Sequence, residues 1–286
     1  MKTSIYILFF AFVFLSCSTN ENNIPSQSFE ITYNKSKNYT STDFSGNESC
    51  GYLYASAIIE NKFKLLFELT DKGNIKNIIL LDYTNQKTFR TAYYNPRQHF
   101  IISNFVFEKE KNYLSFMFEG DLLNQNDNGE SIFIKGKVES ENFKTSGCNQ
   151  TFSEFSATVN SEGFRHTNSF FSYNLDSDSY QATFTSDKGF WIKFIASKHI
   201  KEIPVGTYHF DDNSASKFNF LEYKGNPTVN NYFFKEKWFT YKCNGSFTIT
   251  EHQDDLTIGT FNFQTTNYNT NQQVFSIDNG NFLITH

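Results

Sequence analysis

The sequence predicts an all-β protein made of two tandem antiparallel β-sandwich-like halves, or of one continuous sheet system that both halves share. The chain of 286 residues contains 35 Phe and 16 Tyr but only eight Ala, and aromatic residues favour strands whereas Ala favours helix. Apolar residues recur at every second position in many short segments, as expected for strands with one buried face. Polar turn sequences rich in Gly, Asn and Asp separate these segments.

The N-terminal segment predicts a lipoprotein signal peptide over residues 1–16. A basic residue near the start precedes an apolar run over residues 5–15, and a small residue then precedes Cys17. The run is well short of the ~20 apolar residues that a membrane-spanning helix needs, so we expect cleavage and lipidation of Cys17. An ordinary secretory signal is the alternative. Residues 17–28 are polar and Asn-rich, which predicts a flexible tether.

Strands are predicted from residue 29 onwards, beginning with the alternating segment 29–33. Four hairpins follow, and Gly73 supplies a position at which the first turn can adopt positive φ. The predicted hairpin strands are residues 62–70 with 75–83, 100–108 with 113–119, 180–185 with 190–196, and 246–251 with 256–263.

The two parts of the chain resemble each other in the order of these segments, which predicts a tandem duplication. We therefore expect an N-terminal β domain over residues 29–148 and a C-terminal β domain over residues 149–286. The matching segments are residues 103–108, 114–118 and 132–138 in the first part and 245–251, 256–263 and 274–282 in the second.

The net charge of −5 and the absence of a basic cluster argue against a nucleic-acid partner. Three cysteines remain besides Cys17. Cys50 and Cys148 bracket the first half and would close a long loop as a disulfide, which stabilises a fold by ~4–5 kcal/mol in the entropic description. Three thiols, including Cys243, are the alternative. No cysteine or histidine spacing predicts zinc.

The C-terminal part contains GSFTITE at residues 245–251, IGTFNF at 258–263 and DNGNF at 278–282. It resembles a family of β-rich lipoproteins of Bacteroidota that end in G-x-F-x-I-T, G-T-F-x-F and N-G-x-F strands. The signal that ends at Cys17 is similar to theirs too. The resemblance implies a cell-surface or periplasmic lipoprotein, and it carries over no catalytic residues.

Two sets of side chains are candidates for binding. His209 and Asp211 would share a face of an extended strand and could supply two metal ligands, although no third ligand is identifiable and a strand-ending turn is the alternative. No metal or cofactor is therefore predicted. Aromatic rings can stack on sugars, and such rings are otherwise typical of a sandwich core. The aromatic candidates are Trp191, Tyr232, Trp238 and Tyr241.

Among these four, Trp238 follows the charged residues 235–237, which predicts an exposed ring. We expect a non-catalytic binding or accessory module for a glycan, peptide or protein ligand, anchored through Cys17 in the outer membrane. Which face of that membrane it occupies stays open. The alternatives are a structural envelope component and a hydrolase, but no nucleophile elbow, phosphate loop or zinc helix motif supports an enzyme.

Overall fold

The computed structural model describes residues 27–41, 43–127, 129–148, 153–176, 178–229 and 237–285. Strands predominate in these ranges. The helical segments within them are short 3₁₀ turns at Pro96–Gln98, Lys109–Lys111 and Ile200–Glu202. The all-β prediction is confirmed, and the described strands form two separate curled sheets rather than one continuous system.

The first sheet contains the strands of residues 27–146, and nearly all of its pairings are antiparallel. Its strands are β1 (Gln27–Tyr33), β2 (Lys37–Ser41), β3 (Phe44–Ser49), β4 (Tyr52–Ile59), β5 (Phe63–Thr70), β6 (Ile75–Asp82), β7 (Lys87–Arg90), β8 (Phe100–Glu108), β9 (Tyr113–Asn124), β10 (Ser131–Ser140) and β11 (Lys144–Ser146). The spatial order is β11-β3-β4-β5-β6-β7-β9-β10-β1-β2, and β8 pairs with β9.

The second sheet contains the strands of residues 154–285, which pair antiparallel throughout the described residues. Its strands are β12 (Glu154–Val159), β13 (Glu162–Gly163), β14 (His166–Asn174), β15 (Ser179–Ser186), β16 (Phe190–Ala196), β17 (Gly206–Phe210), β18 (Lys217–Tyr223), β19 (Trp238–Gln253), β20 (Leu256–Thr266) and β21 (Gln273–Thr285). The spatial order is β13-β12-β21-β20-β19-β18-β16-β15-β14, and β17 pairs with β19.

The two sheets repeat one plan of pairings. The path β3-β4-β5-β6-β7-β9-β10-β1-β2 corresponds, strand by strand, to β14-β15-β16-β18-β19-β20-β21-β12-β13. The segments that match in sequence occupy corresponding places, with β8, β9 and β10 in one half and the end of β19, β20 and β21 in the other. The predicted hairpins lie at β5–β6, β8–β9, β15–β16 and β19–β20.

The halves differ in two insertions that matter below. The long strand β19 corresponds to β7 and β8 together, which residues 91–99 separate in the first half. The first sheet also gains β11, which pairs parallel with β3, whereas the corresponding strand β14 pairs only with β15 among the described strands. The parallel pairing of β11 with β3 differs from the antiparallel arrangement that the sequence predicted.

Each sheet folds over its own phenylalanine-rich core, because the side chains on alternate positions of every strand point to the same face. In the first half the core ring of Phe67 meets the rings of Phe116 and Phe118 edge to face, with a centroid distance of 5.1 Å in each case. In the second half Phe218 and Phe261 stack at 4.5 Å. The period of two in the sequence therefore identifies the core faces correctly.

Candidate functional site

The halves meet at an ion pair of the second half whose carboxylate is buried. Arg165 lies at the corner between β13 and β14 with φ +56, and its Nε and Nη2 donate to the carboxylate of Asp187 at 2.9 Å each. Asp187 belongs to the second half and is only 1% exposed. Its Oδ2 also accepts the backbone N–H of Ile75 of the first half at 3.1 Å, and Arg165 Nη2 donates to Gly73 O at 3.2 Å. One charge pair thus holds the β5–β6 turn against the second half.

An aromatic cluster forms the second contact between the halves. Residues 91–99 carry Tyr94 onto the second half, where its ring lies 5.2 Å from Trp238, 4.9 Å from Tyr223 and 5.9 Å from Trp191. The rings of Trp191 and Trp238 are 4.2 Å apart. Burial raises the pKa of Tyr94 to about 12, so its hydroxyl stays protonated at neutral pH.

The prediction that Trp238 exposes its ring is wrong. Trp238 is 6% exposed because β19 pairs with β18 and Tyr94 covers the ring. Tyr241 is also buried, and its hydroxyl donates to Glu222 Oε2 at 2.6 Å. Trp191 is partly buried against the same cluster. These three rings are therefore contacts between strands or halves, and Tyr232 and Cys17 lie outside the described residues.

Asp211, considered with His209 as a metal ligand, has a structural role in a turn. His209 is exposed on β17, and Asp211 follows the strand as the predicted turn, with its Oδ1 accepting the N–H of Asn213 at 2.9 Å and the hydroxyl of Ser214 at 3.0 Å. These hydrogen bonds lower the pKa of Asp211. No group of three or more His, Cys, Asp or Glu side chains placed to hold a metal occurs in the part of the chain that the structure describes.

A cleft of about 1110 Å³ opens between the halves beside the Arg165 corner. The second half lines it with β12, the start of β14 and the adjoining parts of β20 and β21, and the first half with the β3–β4 and β5–β6 turns. Its uncharged polar side chains include Ser156, Thr167, Ser169, Thr260, Asn281 and Thr285.

His166 is the titratable group of the cleft with the largest pKa change. Desolvation lowers its pKa from 6.5 to about 4, and the charges of Lys72 and Lys76 act in the same direction. The ring is therefore neutral at pH 7. Nε2 lies 3.0 Å from Ser169 Oγ, and the backbone carbonyl accepts Asn74 Nδ2 from the first half at 2.9 Å.

The first-half wall of the cleft is braced by a disulfide and a buried carboxylate. Cys50 and Cys148 are bonded, with Cα atoms 5.1 Å apart. Glu48, 3% exposed, accepts the N–H of Gly51 at 3.0 Å, and Lys109 Nζ lies 3.2 Å from its other oxygen. The disulfide therefore ties the end of the first half to the β3–β4 turn.

Sequence reasoning did not predict the cleft residues Arg165 and His166 or the neighbouring Asp187. Asp187 lies in the turn between β15 and β16, and it is buried beside a first-half segment whose Ile75 is 112 residues away in the chain. A local pattern carries no signal for such a contact. The only sequence feature that favours it is the chemical pairing of an arginine with an aspartate near two neighbouring turns.

Comparisons with known proteins give no relatives: no family model, no curated protein and no solved structure matches the chain. Within the described ranges, no helix has the length and apolar character needed to cross a bilayer. The site geometry is therefore the basis for a function.

Proposed function

We propose that this protein is a non-catalytic binding module that takes its ligand in the cleft between the two β halves. The cleft of about 1110 Å³ is the observation that carries the proposal. Ligand sites are concave, frequently lie between domains and combine apolar walls with a few convergent polar groups. Here Phe171 supplies apolar surface, and hydroxyl and amide groups such as Thr260 and Asn281 supply hydrogen bonds.

Two buried carboxylates beside the cleft are engaged by neighbouring groups, which favours a role in binding over one in catalysis. The carboxylate of Asp187 is saturated by Arg165 and by the N–H of Ile75, and that of Glu48 is engaged by Gly51 and Lys109. Groups held in this way stiffen the walls. A preformed, rigid cleft loses little conformational entropy when it binds, and this favours affinity.

The proposal includes an anchor at Cys17, which places the module outside the cytoplasm on the outer membrane. The signal pattern of residues 1–16 supports it. Metabolic labelling with palmitate is expected to mark the wild-type protein but not Cys17→Ser. Equal labelling of both, or labelling of neither, contradicts the anchor.

Ligand binding is tested by filling the cleft. We expect the protein in solution to bind ligands on a glycan array, or the immobilised protein to retain ligands from a displayed library of random peptides. Thr260→Trp and Asn281→Trp place bulky rings at exposed cleft positions and are expected to weaken that binding by about tenfold or more, equivalent to the ~1.4 kcal/mol of a few lost contacts. Lys135→Trp, exposed on β10, is the matched control. Binding that all three variants retain contradicts the cleft as the site.

A further inference from the structure

The cleft contains a strand edge that is open beyond His166, whose carbonyl accepts Asn74 Nδ2. In the second sheet β14 occupies the terminal position and pairs only with β15 among the described strands. At the corner Phe164 still pairs with β12, since its N–H donates to Ala157 O at 2.9 Å. Beyond the positive φ of Arg165 the chain leaves β12 and joins β15. The first part of β14 and the start of β12 therefore line one cleft, and an edge strand presents the N–H and C=O groups of alternate residues outward.

The first half shows how the corresponding strand edge is covered. By the shared order of pairings, β3 is the counterpart of β14. On β3 the corresponding edge is covered by β11, which adds as a parallel strand with Lys144, Thr145 and Ser146 beside residues 47–49. Phe143 precedes β11, is 1% exposed and lies where a Cβ on Gly46 would come within 2.3 Å of its ring. One copy of the repeat thus carries its own added strand with an apolar anchor.

The second copy has no such cover among its described residues, and its apolar side chains are exposed. Phe170 is 53% exposed, Phe171 38% and Tyr173 38%. Residues 167–175 contain no charged side chain and no proline. Proteins usually protect an edge strand with charges, proline or a covering segment. An uncharged, aromatic edge is the reverse of that protection.

We propose that β14 binds an extended polypeptide segment by strand addition, so that the ligand completes the second sheet as β11 completes the first. This inference rests on the proposed binding function and names its ligand class. The exposed rings of Phe170, Phe171 and Tyr173 favour a segment that carries an aromatic or aliphatic anchor. β14 has nine residues, about 30 Å at ~3.3 Å per residue, which suits a ligand of similar length.

The position of the cleft favours a peptide over a second copy of this chain. The start of β14 lies between walls from both halves, with the β3–β4 and β5–β6 turns of the first half opposite it. A single extended chain about 5 Å from its neighbour fits such a space. A second copy would have to bring a whole sheet, because its β14 is part of one.

The test uses a displayed library of random nine-residue peptides and the wild-type protein. Selected peptides are synthesised in two forms, with N-methyl groups on the odd or on the even backbone nitrogens. Strand addition uses the N–H groups of one set only, so we expect one form to bind about tenfold more weakly or worse and the other to bind nearly unchanged. Equal affinity of the two forms overturns the proposal.

Hydrogen exchange supplies a second readout that needs no variant. We expect amides of β14 to exchange faster in the free protein than when the peptide is bound, and amides of β3 to be unaffected. β14 amides that are already protected in a dimer of this chain, or that residues 18–26 protect in the free protein, overturn the proposal in favour of those occupants. If glycans bind in the cleft and no peptide is selected, the binding function stands and strand addition fails.

Discussion

Arg165 and the buried Asp187, both in the second half, form an ion pair that also contacts the β5–β6 turn of the first half. The carboxylate of Asp187 accepts hydrogen bonds from Arg165 Nε and Nη2 at 2.9 Å and from the backbone N–H of Ile75 at 3.1 Å. Loss of one charge from such a pair leaves the other buried without compensation, which costs far more than the pair contributes net. The pair therefore fixes the β5–β6 turn of the first half against the second half.

Arg165→Met tests that relationship. We expect the variant to lose about 3–5 kcal/mol of unfolding free energy, because Asp187 stays buried without its partner. Urea denaturation measures the change. Lys62→Met, which removes the exposed Lys62–Glu60 pair on the first half, is the matched control and is expected to leave the midpoint unchanged. A midpoint of Arg165→Met equal to that of the control would show that this pair contributes no more to stability than an exposed one.

His166 predicts a pH dependence of stability. Its pKa is about 4 in the folded protein, below the ordinary value of 6.5, so the unfolded chain binds a proton that the folded chain does not. The free energy of unfolding is therefore highest above pH 6.5 with respect to His166. It decreases as the pH falls towards 4, by up to about 3 kcal/mol at ~1.4 kcal/mol per pKa unit. We expect His166→Gln to flatten this part of the profile. His209→Gln, at an exposed site, should follow the wild type.

The disulfide predicts a count of thiols and a loss of stability. In a Cys17→Ser background we expect one reactive thiol, Cys243, in the denatured unreduced protein and three after reduction. Burial raises the pKa of Cys243 to about 12, so this thiol should resist iodoacetamide in the native protein at pH 8. Replacing Cys50 and Cys148 by Ser is expected to cost about 4 kcal/mol. Three thiols before reduction would refute the pairing.

Gly46 should tolerate no side chain, because β11 and Phe143 lie against it. A Cβ would come within 2.3 Å of Phe143 and 2.7 Å of the carbonyl oxygen of Tyr54. We expect Gly46→Ala to destabilise the protein by about 1–3 kcal/mol through overpacking. Gly163→Ala, where a Cβ meets nothing within 4 Å, is the control and should change the thermal midpoint little. Similar midpoints for the two variants would argue against close contact of Phe143 with β3.

The strands were predictable from sequence because their signals are local. Residues 63, 65, 67 and 69 of β5 are buried and alternate with the half-buried residues 64, 66 and 68, and Gly73 supplies the positive φ of the following turn. Trp238 shows the limit of such reasoning. Its neighbours in the chain are charged, yet Tyr94 from the other half covers its ring. Burial of this kind depends on which surfaces meet, and the chain encodes that only through distant residues.

The cleft was not predictable for the same reason. The turns that line it in the first half carry ordinary hairpin sequences, and the edge of β14 resembles any aromatic strand. Its openness depends on the absence of a covering strand beside it in the described residues, which becomes visible only when the two sheets are compared pairing by pairing. A repeat in the sequence indicates where to compare, but not which copy is covered.

The insertion of residues 91–99 interrupts the strand that runs unbroken as β19 in the second half. In the described residues, the first half therefore carries the projecting segment with Tyr94, and the second half carries the surface with Trp191 and Trp238 that Tyr94 contacts. The contact between the halves therefore joins two unlike surfaces. A shared order of strand pairings does not make the halves interchangeable, because residues 91–99 supply one half with a contact surface that the long strand β19 leaves out of the other.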